Sequence, residues 1–221
     1  MAIATFNRKA LEASAGKAYL LASPTTVVGV TTAAIVKELF GAFLADGDIR
    51  LALKAGITPW AVLDKNGFKA KLKAKEIKVD PNDGPEEIIG FEVIEADGEL
   101  TIYDTDVQHM KDILSASAAQ VLALAASATQ AGRETLLAGG QRIPTDYMFL
   151  YRYPSRQVPG EFRHILIPRC QIVLDADVEY SKSKAKDLKV KLNVLPFDLL
   201  PDPTTGFGVC WLEDYVTAAH S

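Results

Sequence analysis

Between residues 162 and 200, apolar and polar positions alternate in two runs separated by a lysine-rich connector. In the first run Ile172, Leu174, Ala176, Val178 and Tyr180 share one parity, while Gln171, Asp175, Asp177 and Glu179 fall on the other. In the second, Leu188, Val190, Leu192 and Val194 alternate with Lys189, Lys191 and Asn193. Successive strand side chains point to opposite faces, so each run has one face to bury and one for water or a partner. With 181–187 as the turn, the pattern predicts a two-stranded antiparallel ribbon.

A second ribbon precedes it. Phe68, Ala70, Leu72 and Ala74 alternate with Lys69, Lys71, Lys73 and Lys75, and the parity breaks before Ile77 and Val79. A β-bulge near Lys75 and Glu76 would repair the register. Residues 80–85 (DPNDGP) are dense in turn formers, and 86–94 returns as a strand. The lysine face then lies opposite a strand carrying Glu86, Glu87 and Glu92.

Further elements follow from the same patterns. Strands are expected at 17–22, 57–63, 100–103, 147–153 (YMFLYRY) and 209–212, with turns at 64–67 and at Asp97-Gly98. Val107, Met110, Ile113 and Leu114 after Asp104-Thr105-Asp106 predict a capped helix over about 105–116. Ile35, Leu39 and Phe43, with Val36, Phe40 and Leu44, form a helical apolar face over 33–45 that packs on the chain's own core or on a neighbouring subunit. The Ala-rich stretch 118–138 either prolongs the 105–116 helix or holds a strand at 120–126. Strands thus dominate, and the expected fold is a mainly β domain spanning 1–221, with a helix packed against a sandwich or barrel.

Composition narrows the function. The 221 residues are 48% hydrophobic with a formal charge of -4, so a core can form and no overall basic balance favours nucleic-acid phosphates. Cys170 and Cys210 are the only cysteines, which excludes a disulfide framework or a four-cysteine zinc site; they read as reduced buried thiols, with a single bridge left open. No apolar run of signal-peptide length follows Arg8 and Lys9, and none approaches the ~18 residues of a membrane helix, so a soluble protein is expected.

Candidate chemistry is sparse. The segment Ala15-Gly16-Lys17-Ala18 lacks the earlier glycine and the following Ser or Thr of a phosphate loop. His109 lies three residues from both Asp106 and Asp112, a spacing that can hold a metal on a helix, but a solvated helix face is the favoured reading. His164, beside Arg163, is expected at the surface, and His220 lies in a tail. The stripe Asp175, Asp177 and Glu179 could serve acid–base chemistry or calcium, yet neighbours on one strand suit neither without partners. It reads as a solvent face paired in part with Lys189 and Lys191, or as a surface that repels polyanions. No nucleophile elbow, GxGxxG or HExxH pattern is present.

Three stretches together resemble the tail tube (major tail) proteins of long-tailed bacteriophages. They are GFKAKLKAKEIKV with EEIIGFEVIEADGELTIYDTD leading into VQHMKDIL, then YMFLYRYPS, and then RHILIPRCQIVLDADVEYSKSKAKDLKVKLNVLPFDLLPDPTTG. The likeness is one of pattern and order over 57–114 and 145–208; segments 24–56 and 116–140 fall outside it as insertions, and 1–15 reads as an N-terminal arm. The resemblance implies an α+β tail-tube fold: two packed antiparallel sheets (a β-sandwich or barrel) with one flanking α-helix. It also implies homohexameric rings stacked into a tube in the virion tail, assembled in the host cytoplasm. The implied partners are further copies of the chain, the tape measure protein, and the tail tip or baseplate and tail terminator proteins; DNA passes through without specific binding. Neither catalysis nor a cofactor is implied, and no membrane insertion.

Within that expectation Asp175, Asp177 and Glu179 are candidates for the channel lining, because a lumen that neutralised phosphates would hold DNA rather than pass it. Lys69, Lys71, Lys73, Lys75, Asp80, Asn82 and Asp83 are candidates for contacts between subunits or rings. Two alternatives stand beside it: the related tube of a secretion system or tail-like particle, and a small-molecule-binding β-barrel or an enzyme with an unrecognised site.

Overall fold

The computed structural model describes residues 16–29, 31–45, 53–79, 87–103, 106–116, 120–127, 129–137, 143–154, 162–174, 188–197 and 210–213. Its strands are β1 (Lys17–Ala22), β2 (Ala61–Val79), β3 (Glu87–Tyr103), β4 (Val121–Leu124), β5 (Arg133–Leu136), β6 (Asp146–Pro154), β7 (Phe162–Leu174), β8 (Leu188–Val194) and β9 (Cys210–Glu213). The helices are α1 (Thr32–Phe43) and α2 (Val107–Ile113).

Six strands run in the order β6-β1-β2-β3-β8-β7, and β7 pairs back with β6, so the antiparallel sheet closes into a barrel. Closure depends on β7 changing partners along its length. Its first part pairs with β6 (Pro154↔Phe162 to Asp146↔Gln171), and its last residues pair with β8 (Cys170↔Val194 to Leu174↔Val190). On the edge that β8 leaves open, β9 pairs with Arg163 to Leu166. The alternation of 188–194 is realised as expected: Leu188, Val190, Leu192 and Val194 are buried and Lys189 is exposed.

The barrel interior is filled. Leu63, Ile102, Phe149 and Leu192 are at most 1% exposed, and Leu100, Ile167, Cys170, Ile172 and Val190 pack with them. The Phe68 ring lies 5.2 Å from that of Phe149 and 5.7 Å from that of Tyr151, and Tyr151 stacks on Tyr153 at 5.1 Å. Small barrels are filled by their own side chains in this way. The room for these rings is cut by glycines. A Cβ at Gly98 would sit 2.5 Å from the Phe68 ring and 3.2 Å from Leu192 Cβ. Gly98→Ala is therefore expected to cost about 1–3 kcal/mol, measured by urea denaturation, while an exposed Ala70→Gly control changes stability by less.

The second apolar cluster lies outside the barrel. On β1, β6 and β7 the residues of the other parity (Tyr19, Met148, Leu150, Leu166) face α1, which buries Ile35, Leu39, Phe40 and Phe43 against them. Of the two expectations for 33–45, packing on the chain's own core is the one realised. Full burial of each such side chain contributes roughly 1.5–3 kcal/mol relative to exposure. The Thr31 hydroxyl caps the helix by accepting from Ala34 N–H at 3.3 Å, and the Glu38 carboxylate accepts from Val28 and Gly29 N–H at 2.9 and 3.1 Å. These bonds tie the incoming loop to the helix it feeds.

Of the expected sandwich or barrel, the barrel is the one realised. Several other expectations are corrected. Two helices, not one, flank the strands among the described residues. No turn forms at Asp97-Gly98: β3 runs unbroken from Glu87 to Tyr103, because β8 and β2 pair on either side of it there. The 64–67 signal is not a chain reversal either. It is an irregularity inside β2, between the pairs Leu63↔Ile102 and Phe68↔Leu100, with Gly67 at φ 64. That left-handed backbone, together with a Tyr151 hydroxyl 2.7 Å from where a Cβ would stand, accounts for glycine at this position. Pro59 lies before β2, which begins at Ala61 rather than at 57. The Ala-rich segment holds a strand, β4, paired with a β5 that carried no sequence signal of its own.

Candidate functional site

The ribbon of β2 and β3 carries charged residues along both of its strands. Its register sets Lys69 opposite Glu99, Lys71 opposite Asp97, Lys73 opposite Glu95 and Lys75 opposite Glu92. The register thus sets the lysine stripe opposite acids from Glu92 to Glu99, and Lys71 pairs with Glu99; of the acids expected opposite the stripe, Glu92 faces Lys75 in the register, Glu87 faces Val79, and Glu86 lies outside the described residues. The expected bulge is displaced as well: register shifts fall between Lys73 and Ala74 and between Ile77 and Lys78, and the extra residue belongs to β3 each time. Lysine positions on alternate β2 residues therefore stand opposite acidic positions on both sides of the first shift.

Where the ribbon forms part of the barrel, β8 extends the charge pattern by one strand. Glu99 lies between Lys69 on β2 and Lys191 on β8, and Asp97 lies between Lys71 and Asn193. Lys71 bonds Glu99, and Lys191 Nζ reaches Asp97 Oδ2 at 2.9 Å. The Lys71 bond, aided by the charges of Lys69 and Lys191, holds the Glu99 carboxyl below the usual glutamate range. Lys69, Lys71 and Lys73 are exposed on the outer wall. The β2 irregularity opens a groove of about 270 Å³ beside this ladder, lined by Gly67, Lys69, Glu99, Thr101 and Lys189. It is shallow and polar, and its charges belong to the ladder.

Beyond the barrel the ribbon continues alone. β8 covers β3 only as far as Asp97↔Asn193, and β1 covers β2 only at Ala61 and Val62. Among the described residues, β2 from Phe68 to Val79 pairs with β3 alone, and β3 from Glu87 to Ala96 pairs with β2 alone. Two open edges run outward from the barrel, one on a strand with lysines and one on a strand with glutamates.

The remaining sequence candidates act within the fold. His109 does not assemble a metal pair. Its Nδ1 accepts from Asp106 N–H at 3.2 Å, and its Nε2 is 2.6 Å from the Trp60 carbonyl oxygen. His109 N–H donates in turn to Asp106 Oδ1 at 2.8 Å, so residues 106 and 109 form a reciprocal cap on α2. Asp112 accepts from Trp60 Nε1 at 2.9 Å, and burial raises its carboxyl above the usual range. These bonds dock α2 against the segment entering β2, where Met110 and Ile113 pack on the barrel core. Among the described residues no group of three or more His, Cys, Asp or Glu is placed to hold a metal ion.

His164 is 1% exposed, not a surface residue. The register sets it opposite Arg152 on the outer face of β6 and β7, where α1 covers it and Phe40 meets its ring edge-on at 6.5 Å. The expectation of a surface position, drawn from its neighbour Arg163, fails because α1 covers the face of β7 that carries His164. Asp146 is a polar staple that no motif indicated. It accepts from Arg169 Nε and Gln171 Nε2, each at 2.8 Å, and these bonds outweigh burial and leave its carboxyl below the usual range.

Cys170 is a free thiol whose ionisation burial pushes far above its ordinary value, an inert core group. Cys210 lies opposite Leu166, four residues along β7, or ~13 Å, which is beyond disulfide reach. Asp80, Asn82, Asp83, Asp175, Asp177, Glu179 and His220 lie outside the described residues, as does the 181–187 connector. No described helix is long and apolar enough to cross a membrane. Compared with known proteins, the chain matches no protein-family model and no curated protein.

Proposed function

We propose that this chain is a structural, self-assembling subunit of the tail-tube kind, forming stacked hexameric rings around a channel through which DNA leaves a phage particle. The observation that carries the reading is the β2–β3 ribbon, which extends past the barrel with no further strand on either edge among the described residues. Unpaired strand edges recruit further strands, and a closed ring removes them. The filled interior weighs against a barrel that holds a small molecule, since Phe149, Tyr151 and Phe68 occupy the space that a ligand would take. Among the described residues the charges, too, follow strands as stripes instead of converging on an apolar cleft. In this reading Asp175, Asp177 and Glu179, just past the end of β7, line the channel and keep DNA sliding; a tube map with those carboxylates on the outer wall would remove that assignment.

Negative-stain microscopy of the purified protein tests the proposal. Rings or tubes that grow with protein concentration are the expected outcome. A monomer at every concentration, with a melting temperature that rises on adding a small molecule, would favour the ligand-binding alternative. Gene neighbourhood separates a phage tail from a secretion tube built on the same plan.

A further inference from the structure

We propose that the ribbon joins copies of this chain edge to edge in one sense only, with the acidic β3 of one copy against the basic β2 of the next. The inference rests on the reading of the chain as a self-assembling subunit and adds which edges meet and why. Its template lies inside the molecule. In the barrel wall β3 is flanked on both sides by lysine-bearing strands: Lys69 and Lys71 from β2, and Lys189 and Lys191 from β8. β8 stops pairing at Asp97↔Asn193, but the acids of β3 continue past it at Glu95, Glu92 and Glu87. Among the described residues, no basic strand continues along that flank of β3 as β8 does lower down. The other open edge of the same ribbon, β2 with Lys69, Lys71, Lys73 and Lys75, is such a strand.

The other two ways of joining open edges are opposed by charge. A β2-to-β2 contact sets lysines against lysines, and a β3-to-β3 contact sets acids against acids; like charges directly across a ladder destabilise it. The β3-to-β2 contact also keeps strand direction. β2 and β3 are antiparallel within one copy, so the β2 of a copy related by a ring step continues the antiparallel ladder with the same face outward. Such a joint is head-to-tail, and repeated it closes into a ring or winds into a filament instead of stopping at a two-fold dimer.

The test is a charge exchange that leaves the rows within one copy intact: Lys73→Glu and Lys75→Glu on β2 with Glu95→Lys and Glu92→Lys on β3. Native and exchanged proteins, separately labelled, are allowed to assemble alone and mixed. Each is expected to assemble with itself. Mixed contacts are expected to fall at least about tenfold below the statistical proportion, since every mixed joint sets like charges together. Free mixing would overturn the inference, because charge would then not choose the edge. Preferential mixing would overturn it in favour of two-fold joints, and failure of native protein to associate at all would also overturn it.

Circular dichroism checks that the exchanged variant folds. If it does not, native association followed from about 0.05 to 1 M salt replaces it, with screening expected to weaken the joint and an unchanged affinity counting against the inference. The tube reading fails separately. Tubes that mix freely leave that reading standing and remove this one; charge-sorted oligomers that never stack do the reverse.

Discussion

Phe149→Ala should destabilise the protein by about 3–5 kcal/mol, the largest single-site loss expected from the barrel interior. The side chain is fully buried, and Phe68 packs on its ring at 5.2 Å. The loss has two parts. The removed ring no longer keeps its apolar surface from water, and the cavity stays open because the surrounding strands cannot collapse. β6 is held on one side by β1 over six residue pairs from Lys17↔Arg152 to Ala22↔Tyr147, and on the other by β7. In a chain of this size, that loss lowers the melting temperature on the order of 10 °C. Urea denaturation of the two proteins is the measurement. A loss below about 1 kcal/mol would mean that the interior is not the packed core described, and would return the ligand-binding barrel to consideration.

The second large effect is acid destabilisation through His164. Burial, helped by the Arg152 charge, lowers its pKa from 6.5 to about 4. The folded state therefore keeps the ring neutral where the unfolded chain has already taken a proton. Stability rises with pH wherever the unfolded state binds more protons, so this group makes stability fall as the pH drops from about 6.5 to about 4. The full swing is about 3 kcal/mol, since each pKa unit corresponds to about 1.4 kcal/mol. Asp146 acts lower on the scale: its depressed carboxyl contributes stability that is lost only as the pH falls below 3.8. Denaturation midpoints taken from pH 7 to 4.5 cover most of the histidine's window; Asp112, whose raised carboxyl acts in the opposite sense above 3.8, is common to native and variant protein, so their difference reports the histidine. His164→Leu keeps an apolar side chain against Phe40 and should flatten the profile in that window; an unchanged slope would show that other groups set it.

Both effects lie at positions that the sequence treats unequally. Phe149 falls in YMFLYRY, whose residues mark a strand without saying which face is which. His164 stands beside Arg163 in a run read as half-exposed. The difference comes from α1. Where only one face of a strand is covered, the chain alternates, and 188–194 could be assigned residue by residue before any fold was known. Where the barrel covers one face and α1 the other, alternation disappears. β1, β6 and the first half of β7 become continuous apolar runs in which inner and outer positions look alike. The helix that causes this was visible from its own periodicity, but its docking partner was not.

The ribbon shows the same division. By itself the sequence determined that lysines occupy alternate β2 positions, that acids crowd the following strand, and that a run of turn-forming residue types separates the two. Local spacing and residue chemistry suffice for that. Only the tertiary structure decided the pairings, because register depends on partners distant in the chain. β8 pulls 97–102 into one continuous strand over an expected turn, and β3 absorbs the extra residues that were expected in β2. Closure through β7, with its change of partner from β6 to β8, was likewise beyond sequence periodicity, which reports the face a residue shows but not the strand beside it. The same holds for the two open edges: that lysines and glutamates end on opposite flanks of a ribbon reaching past the barrel follows from where β8 stops.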